Sequence, residues 1–118
     1  MIQQEILEYN KRCAEFLGWN KTHPKIKDWH IYITPIGHIS YDKMLFHSDW
    51  NWIMEVVEAI EKLKYLVVIQ SNFCQIQEIG TKKNDFKPYI IASIYSNDKK
   101  EAVVQAINQF LIWYNENK

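Results

Sequence analysis

Glycine is scarce in this chain, and its scarcity removes whole classes of chemistry. Gly18, Gly37 and Gly80 stand isolated, so they cannot assemble a Walker A phosphate loop or a dinucleotide fingerprint. No serine sits in a G-x-S-x-G elbow, and neither Cys-x-x-Cys nor His-Glu-x-x-His occurs, which excludes the hydrolase and zinc signatures those motifs carry. Cysteine is limited to Cys13 and Cys74, too few for a disulfide framework. Charge of one sign is not in excess: 14 Lys plus Arg balance 14 Asp plus Glu. No global field therefore draws the chain to nucleic acid or to an anionic membrane. Long apolar runs are missing too, and stretches such as YLVVI are far too short to span a bilayer. The opening MIQQEILEYNKR lacks the basic-then-apolar pattern of a signal peptide. Cytoplasmic residence, with both thiols reduced, is the expectation.

What is present reads as one α+β domain. The chain has 118 residues, 47% of them hydrophobic and 24% charged, ordinary values for a single globular unit. It contains no repeat, low-complexity tract or linker. Residues 2–17 have helical periodicity, with Ile2, Ile6, Tyr9, Cys13, Phe16 and Leu17 on one side. Gly18 follows where a helix terminus favours glycine. WHIYIT (29–34) alternates, placing Trp29, Ile31 and Ile33 on one face and His30, Tyr32 and Thr34 on the other. Pro35 and Gly37 are expected to end that strand, and residues 41–46 read as a short extended piece.

Ser48 is the expected N-cap of a second helix, over 49–64, with Asp49 placing negative charge at its positive end. Trp52, Ile53, Val56, Val57, Ile60 and Leu63 form its apolar stripe, with Glu55, Glu58 and Lys62 opposite. Trp50 and Met54 lie at the stripe's edge. Strands are predicted over 65–70 and 73–79, joined by a turn at Ser71-Asn72, and over 89–95, which with 29–34 are expected to make a mainly antiparallel sheet of three to four strands. The apolar continuity of the first and last of these predicts strands covered on both faces. The third helix, 99–116, starts from Asp98 with a capping-box pattern to Glu101. Its expected stripe is Val103, Ile107, Phe110, Leu111 and Tyr114, and Ile112 lies opposite.

Three segments together carry a resemblance: AEFLGW near the start, FHSDWNWIMEVVEAIEKL in the middle and KKEAVVQAINQFLIWYNENK at the end. In this order they resemble the phage ABA-sandwich domain family of small phage and prophage proteins. Glu55 stands where that family often has proline, and residues 20–46 match no part of it. The resemblance implies a helix–sheet–helix sandwich and a phage accessory origin. It supplies no catalytic residues.

Several clusters of polar residues have both a chemical and a simpler explanation. His30, His38 and His47 with Asp49 resemble a metal or general-base cluster only in composition, because their spacing fits no metal template. His38-Ile39-Ser40 resembles half of the paired motif of two-histidine phosphoesterases, and the second half is missing. Surface or turn histidines are the favoured reading. Cys13 and Cys74 fall on apolar positions, where thiols are buried and inert rather than reactive. Lys82, Lys83 and Lys87 surround Phe86 in one loop, a pattern able to grip phosphate and stack a base, although lysine-rich loops more often only solvate.

The aromatic content is the strongest positive signal. Five tryptophans and seven tyrosines exceed what a core of this size needs, and partner surfaces favour both residues. Trp19, Trp29, His30, Tyr32, His47 and Trp50 are the candidate partner-binding residues; the alternative is that the rings simply fill a small core. The resulting expectation is a non-enzymatic phage accessory protein without a cofactor or metal. It would occupy a host protein or ribonucleoprotein, most concretely as an inhibitor of a bacterial defence system, anti-CRISPR-like, and have no membrane partner. The alternatives are a sponge or phosphoesterase for a small signalling nucleotide, and a nucleic-acid-binding module.

Overall fold

A computed structural model describes residues 1–21, 31–34, 37–79 and 89–117. Helix α1, Gln3–Phe16, ends as glycine at position 18 allows. Gly18 has φ +81°, and its N–H donates to the Glu15 carbonyl while that of Trp19 donates to Ala14, at 3.0 and 2.9 Å. This paired pattern satisfies carbonyls that the helix would otherwise leave open. Tyr9, Asn10, Cys13 and Ala14 form the buried face of α1. Ile2, expected on that stripe, is 66% exposed, because it lies one residue before the helix.

Three short strands follow: β1 (Asn20–Lys21), β2 (Ile31–Thr34) and β3 (Gly37–Ser40). They form an antiparallel sheet in that order. The pair Thr34↔Gly37 closes β2 onto β3, so Gly37, expected to end a strand, opens the next one. Residues 41–46 are not an extended piece: Tyr41–Lys43 makes a 3-10 turn. Met44 and Phe46 beyond it are fully buried.

Helix α2, Trp50–Lys62, is capped by Asp49 rather than Ser48; the Asp49 side chain accepts from the Asn51 N–H at 2.8 Å. The helix therefore begins one residue later than expected. Ile53, Val56, Val57 and Ile60 bury its core face. Leu63, the expected last member of the stripe, is 46% exposed, because it is the C-terminal cap and Lys64 turns the chain away at φ 74°.

The main sheet is the antiparallel meander β4 (Tyr65–Gln70), β5 (Phe73–Glu78) and β6 (Tyr89–Tyr95). Helix α3, Lys99–Glu116, closes the chain. Asp98 caps it by accepting from Lys100 N–H at 2.9 Å. Glu101 does not complete the expected box on the Asp98 backbone; it accepts from the Ser96 hydroxyl, which in turn accepts from Asp98 N–H.

This is the α+β domain of three helices and an antiparallel sheet that the sequence predicts, and its helix–sheet–helix order fits the expected layout. Helix α3 packs along β5 and β6, α2 along β4, and both α1 and α2 touch α3. One continuous core results, built from Tyr9, Phe46, Ile53, Ile60, Ile76, Ile107 and Phe110 among others. Register places Val67↔Ile76↔Ala92 and Ile69↔Cys74↔Ile94 on the core side. The intervening rows, Leu66↔Gln77↔Ile90, Val68↔Gln75↔Ser93 and Gln70↔Phe73↔Tyr95, therefore share the opposite face. On that face Leu66, Ile90 and Tyr95 are 44%, 50% and 76% exposed, while Val68, Phe73, Gln75 and Gln77 are half-buried. The expectation that β4 and β6 are buried on both faces is thus overturned. Antiparallel meanders tolerate a solvated face, and apolar continuity alone cannot tell burial from β propensity.

Candidate functional site

The segment from Met44 to Met54 alternates between burial and display. Met44 and Phe46 enter the core, held beside α1 by two buried hydrogen bonds. Asn10 Nδ2 donates to the Met44 carbonyl at 3.2 Å, and the Tyr9 hydroxyl donates to that of Phe46 at 3.1 Å. Burial pushes the Tyr9 hydroxyl well above its ordinary pKa, with Cys13 contributing further, so it stays a neutral donor. Leu45, between the two anchors, is 41% exposed. Its carbonyl accepts from Ser48 N–H and Asp49 N–H at 3.1 and 2.9 Å, which fixes the turn into α2.

The two tryptophans of α2 part company here. Trp52 meets Phe46 edge-on, with ring centroids 4.9 Å apart, and Trp19 at 5.9 Å. Trp19 also lies 5.3 Å from Phe46. The three rings form one aromatic cluster bridging the end of α1 and the start of α2. Trp19, a candidate partner residue, is thereby half-buried structure. Trp50 is left 36% exposed, as is Met54 one turn later on the same side of the helix. Leu45, Trp50 and Met54 give the start of α2 an apolar display held by a capped helix and a hydrogen-bonded turn.

His47 faces elsewhere. It lines a cleft of about 210 Å³ with Ile6, Asp98, Lys100, Glu101 and Val104. Its Nδ1 is buried without a hydrogen-bond partner. Burial, and secondarily the N-terminal ammonium, holds its pKa below the ordinary histidine value. A neutral ring with Nδ1 as the bare lone pair is the cheaper tautomer there, since a buried N–H without an acceptor costs more.

Two further candidates lie on the strands of the first sheet. Tyr32 lies on β2 opposite Ile39, and His38 on β3 opposite Ile33. Ser40 donates its hydroxyl to Asp42. Trp29 and His30, and Lys82, Lys83, Phe86 and Lys87, fall outside the described residues. Among the described residues no group of three His, Cys, Asp or Glu is placed to hold a metal ion. No helix among them is long and apolar enough to cross a membrane. Cys13 and Cys74 are buried as expected; burial raises both thiols, that of Cys74 to about 12. Leu45 was missed by sequence reasoning, although Met44-Leu45-Phe46 reads in hindsight as an in-out-in alternation. No protein-family model, curated protein or solved structure matches the chain.

Proposed function

We propose that this protein is a small phage accessory module that works by occupying a host protein or ribonucleoprotein in the bacterial cytoplasm. Its concrete form is inhibition of a bacterial defence system, in the manner of an anti-CRISPR protein. The observation that carries the binding reading is Trp50. An exposed tryptophan on a capped helix, with Met54 one turn later and Leu45 exposed in the turn that precedes the helix, has the composition and preorganisation of an interface anchor. The three apolar side chains together expose on the order of 200 Å², which suits a central anchor rather than a whole interface. The phage origin is what the family resemblance of the three segments implies, and the defence target follows by analogy with compact phage proteins that lack catalytic constellations.

The nucleotide-sponge reading is less well supported. The His47 cleft, about 210 Å³, is smaller than ordinary small-molecule sites. Its wall is mixed in charge, with Asp98 and Glu101 beside Lys100 and Met1, and so offers phosphate no net attraction. The nucleic-acid reading rests on Lys82–Lys87 and would show binding that weakens steeply with salt. Affinity capture from host extract, followed by mass spectrometry, tests the proposal. Wild-type protein should enrich one host component, and Trp50→Ala with Met54→Ala should lose it while remaining folded. Equal capture by the variant, or no enriched host component, would refute the assignment.

A further inference from the structure

The face of the main sheet turned away from the helices has an unusual composition for a surface left to water. Register places nine side chains on it, in three rows across β4, β5 and β6, and none carries a charge, in a chain that is 24% charged. The solvated face of an antiparallel sheet ordinarily alternates to polar side chains. Here Leu66, Ile90 and Tyr95 stand 44%, 50% and 76% exposed. Tyr95 leans on Phe73 at 4.7 Å between centroids. The polar members at its centre are amides, and Gln77 donates to Gln75 along the face.

We infer that this face is a self-association surface, on which a second copy of the chain packs sheet against sheet about a two-fold axis. Charge favours this occupant. A partner chosen by charge would find nothing complementary on the face, whereas a second copy brings no like charge against it. The net charge of zero adds no long-range repulsion between copies. The chemistry is self-complementary as well. Each glutamine amide has donors and an acceptor, so amides of one copy can satisfy those of the other when water leaves. Twisted sheet faces stack ~10 Å apart with strands near −30°, and the register shift between Ile76 and Gln77 leaves the three rows on one face.

The free edge is a poorer route to association. The Ser93 N–H at the middle of β6 is already taken by Gln109 Oε1, at 3.3 Å, which blunts strand-to-strand pairing there.

The area places the contact among the smaller specific interfaces. Tyr95 alone leaves roughly 150 Å² to solvent, and the face as a whole offers on the order of 500 Å² per copy, about 1,000 Å² in the pair. That lies at the lower bound of specific interfaces, among the weak and transient ones.

Sedimentation equilibrium on the full chain, from about 1 µM to about 1 mM, reads this directly. The mass should rise from 14.2 kDa toward twice that value across the range. Tyr95→Lys should weaken association at least tenfold without moving the melting temperature, because that ring is mostly in solvent. Leu66→Lys should do the same from the opposite edge of the face. Ile112→Lys on α3, and Trp50→Ala at the start of α2, should leave the dimer intact, which separates this surface from the host-binding one. A wild-type protein that stays monomeric to the highest concentration would overturn the inference. So would folded Tyr95→Lys and Leu66→Lys variants that associate as tightly as wild type. A monomeric wild type that instead captures a different protein, in a manner lost on Tyr95→Lys, would assign the face to that partner and overturn it equally.

Discussion

Replacing Trp52 with alanine tests the division of labour between the two tryptophans of α2. Trp52 is partly buried and packed on the core. Its ring meets those of Phe46 and Trp19 at 4.9 and 5.9 Å. Burial of roughly 150 Å² of ring, at about 25 cal/mol per Å², contributes ~4 kcal/mol. The two edge-on pairs add a fraction of that, and partial collapse of the cavity returns a similar amount. The expected loss is therefore about 3–5 kcal/mol, or roughly 10–20 °C in melting temperature for a domain of this size. Trp50→Ala removes a ring that already stands 36% in solvent and is not in the aromatic cluster, so about 1 kcal/mol is expected. Urea unfolding followed by far-UV circular dichroism measures both on one scale, independent of the tryptophan signal being deleted. If Trp52→Ala leaves too little native protein to measure, Trp52→Leu provides a milder comparison in the same order. Equal losses at the two positions would refute the assignment of one ring to the core and the other to the surface.

Two further outcomes follow from particular contacts. Asp49→Ala should cost about 1 kcal/mol by removing the side-chain acceptor at the start of α2, and Ser48→Ala should cost almost nothing; denaturant midpoints separate them, and the reverse order would place the cap at Ser48. His47 is held neutral by burial, so the unfolded chain takes up the proton first as pH falls below the ordinary histidine value near 6.5. Stability contributed by neutral His47 is then fully present above that value and falls as pH drops through it toward the lower folded pKa. Thermal melts from pH 7.5 to pH 5 should show this component in wild type and not in His47→Gln, and identical profiles would remove histidine from the account.

Much of the architecture was legible in the residues alone. The third helix was read from residue 99 to 116 and is found as Lys99–Glu116, because its apolar spacing and the Asp98 cap act within a few residues of chain. The Gly18 terminus was legible for the same reason: only a residue free of a Cβ adopts its positive φ without strain. The start of α2 was missed by one residue. Ser48 and Asp49 are both competent caps, and the hydrogen bonds of both N–H groups to Leu45 choose between them. The burial of Met44 and Phe46 was also out of reach, since their hydrogen-bonded neighbours Tyr9 and Asn10 lie more than thirty residues away.

The candidate site divides along the same line. Separation of Trp50 from Trp52 follows from helical geometry, since residues two apart point in different directions, and the sequence by itself determined it. That Trp19 joins Trp52 and Phe46 depends on how α1 docks beside α2. His47 lies against the first turn of α3, some fifty residues along the chain, and periodicity carries no information at that range. The open sheet face was decided at the same level. β4 and β6 carry apolar residues on both sides, and nothing in their composition says whether a second layer covers the far one. Burial is a property of what docks where. With the helices gathered over Val67, Cys74 and Ile76, Leu66 and Ile90 were left to solvent, an outcome the tertiary packing alone could decide.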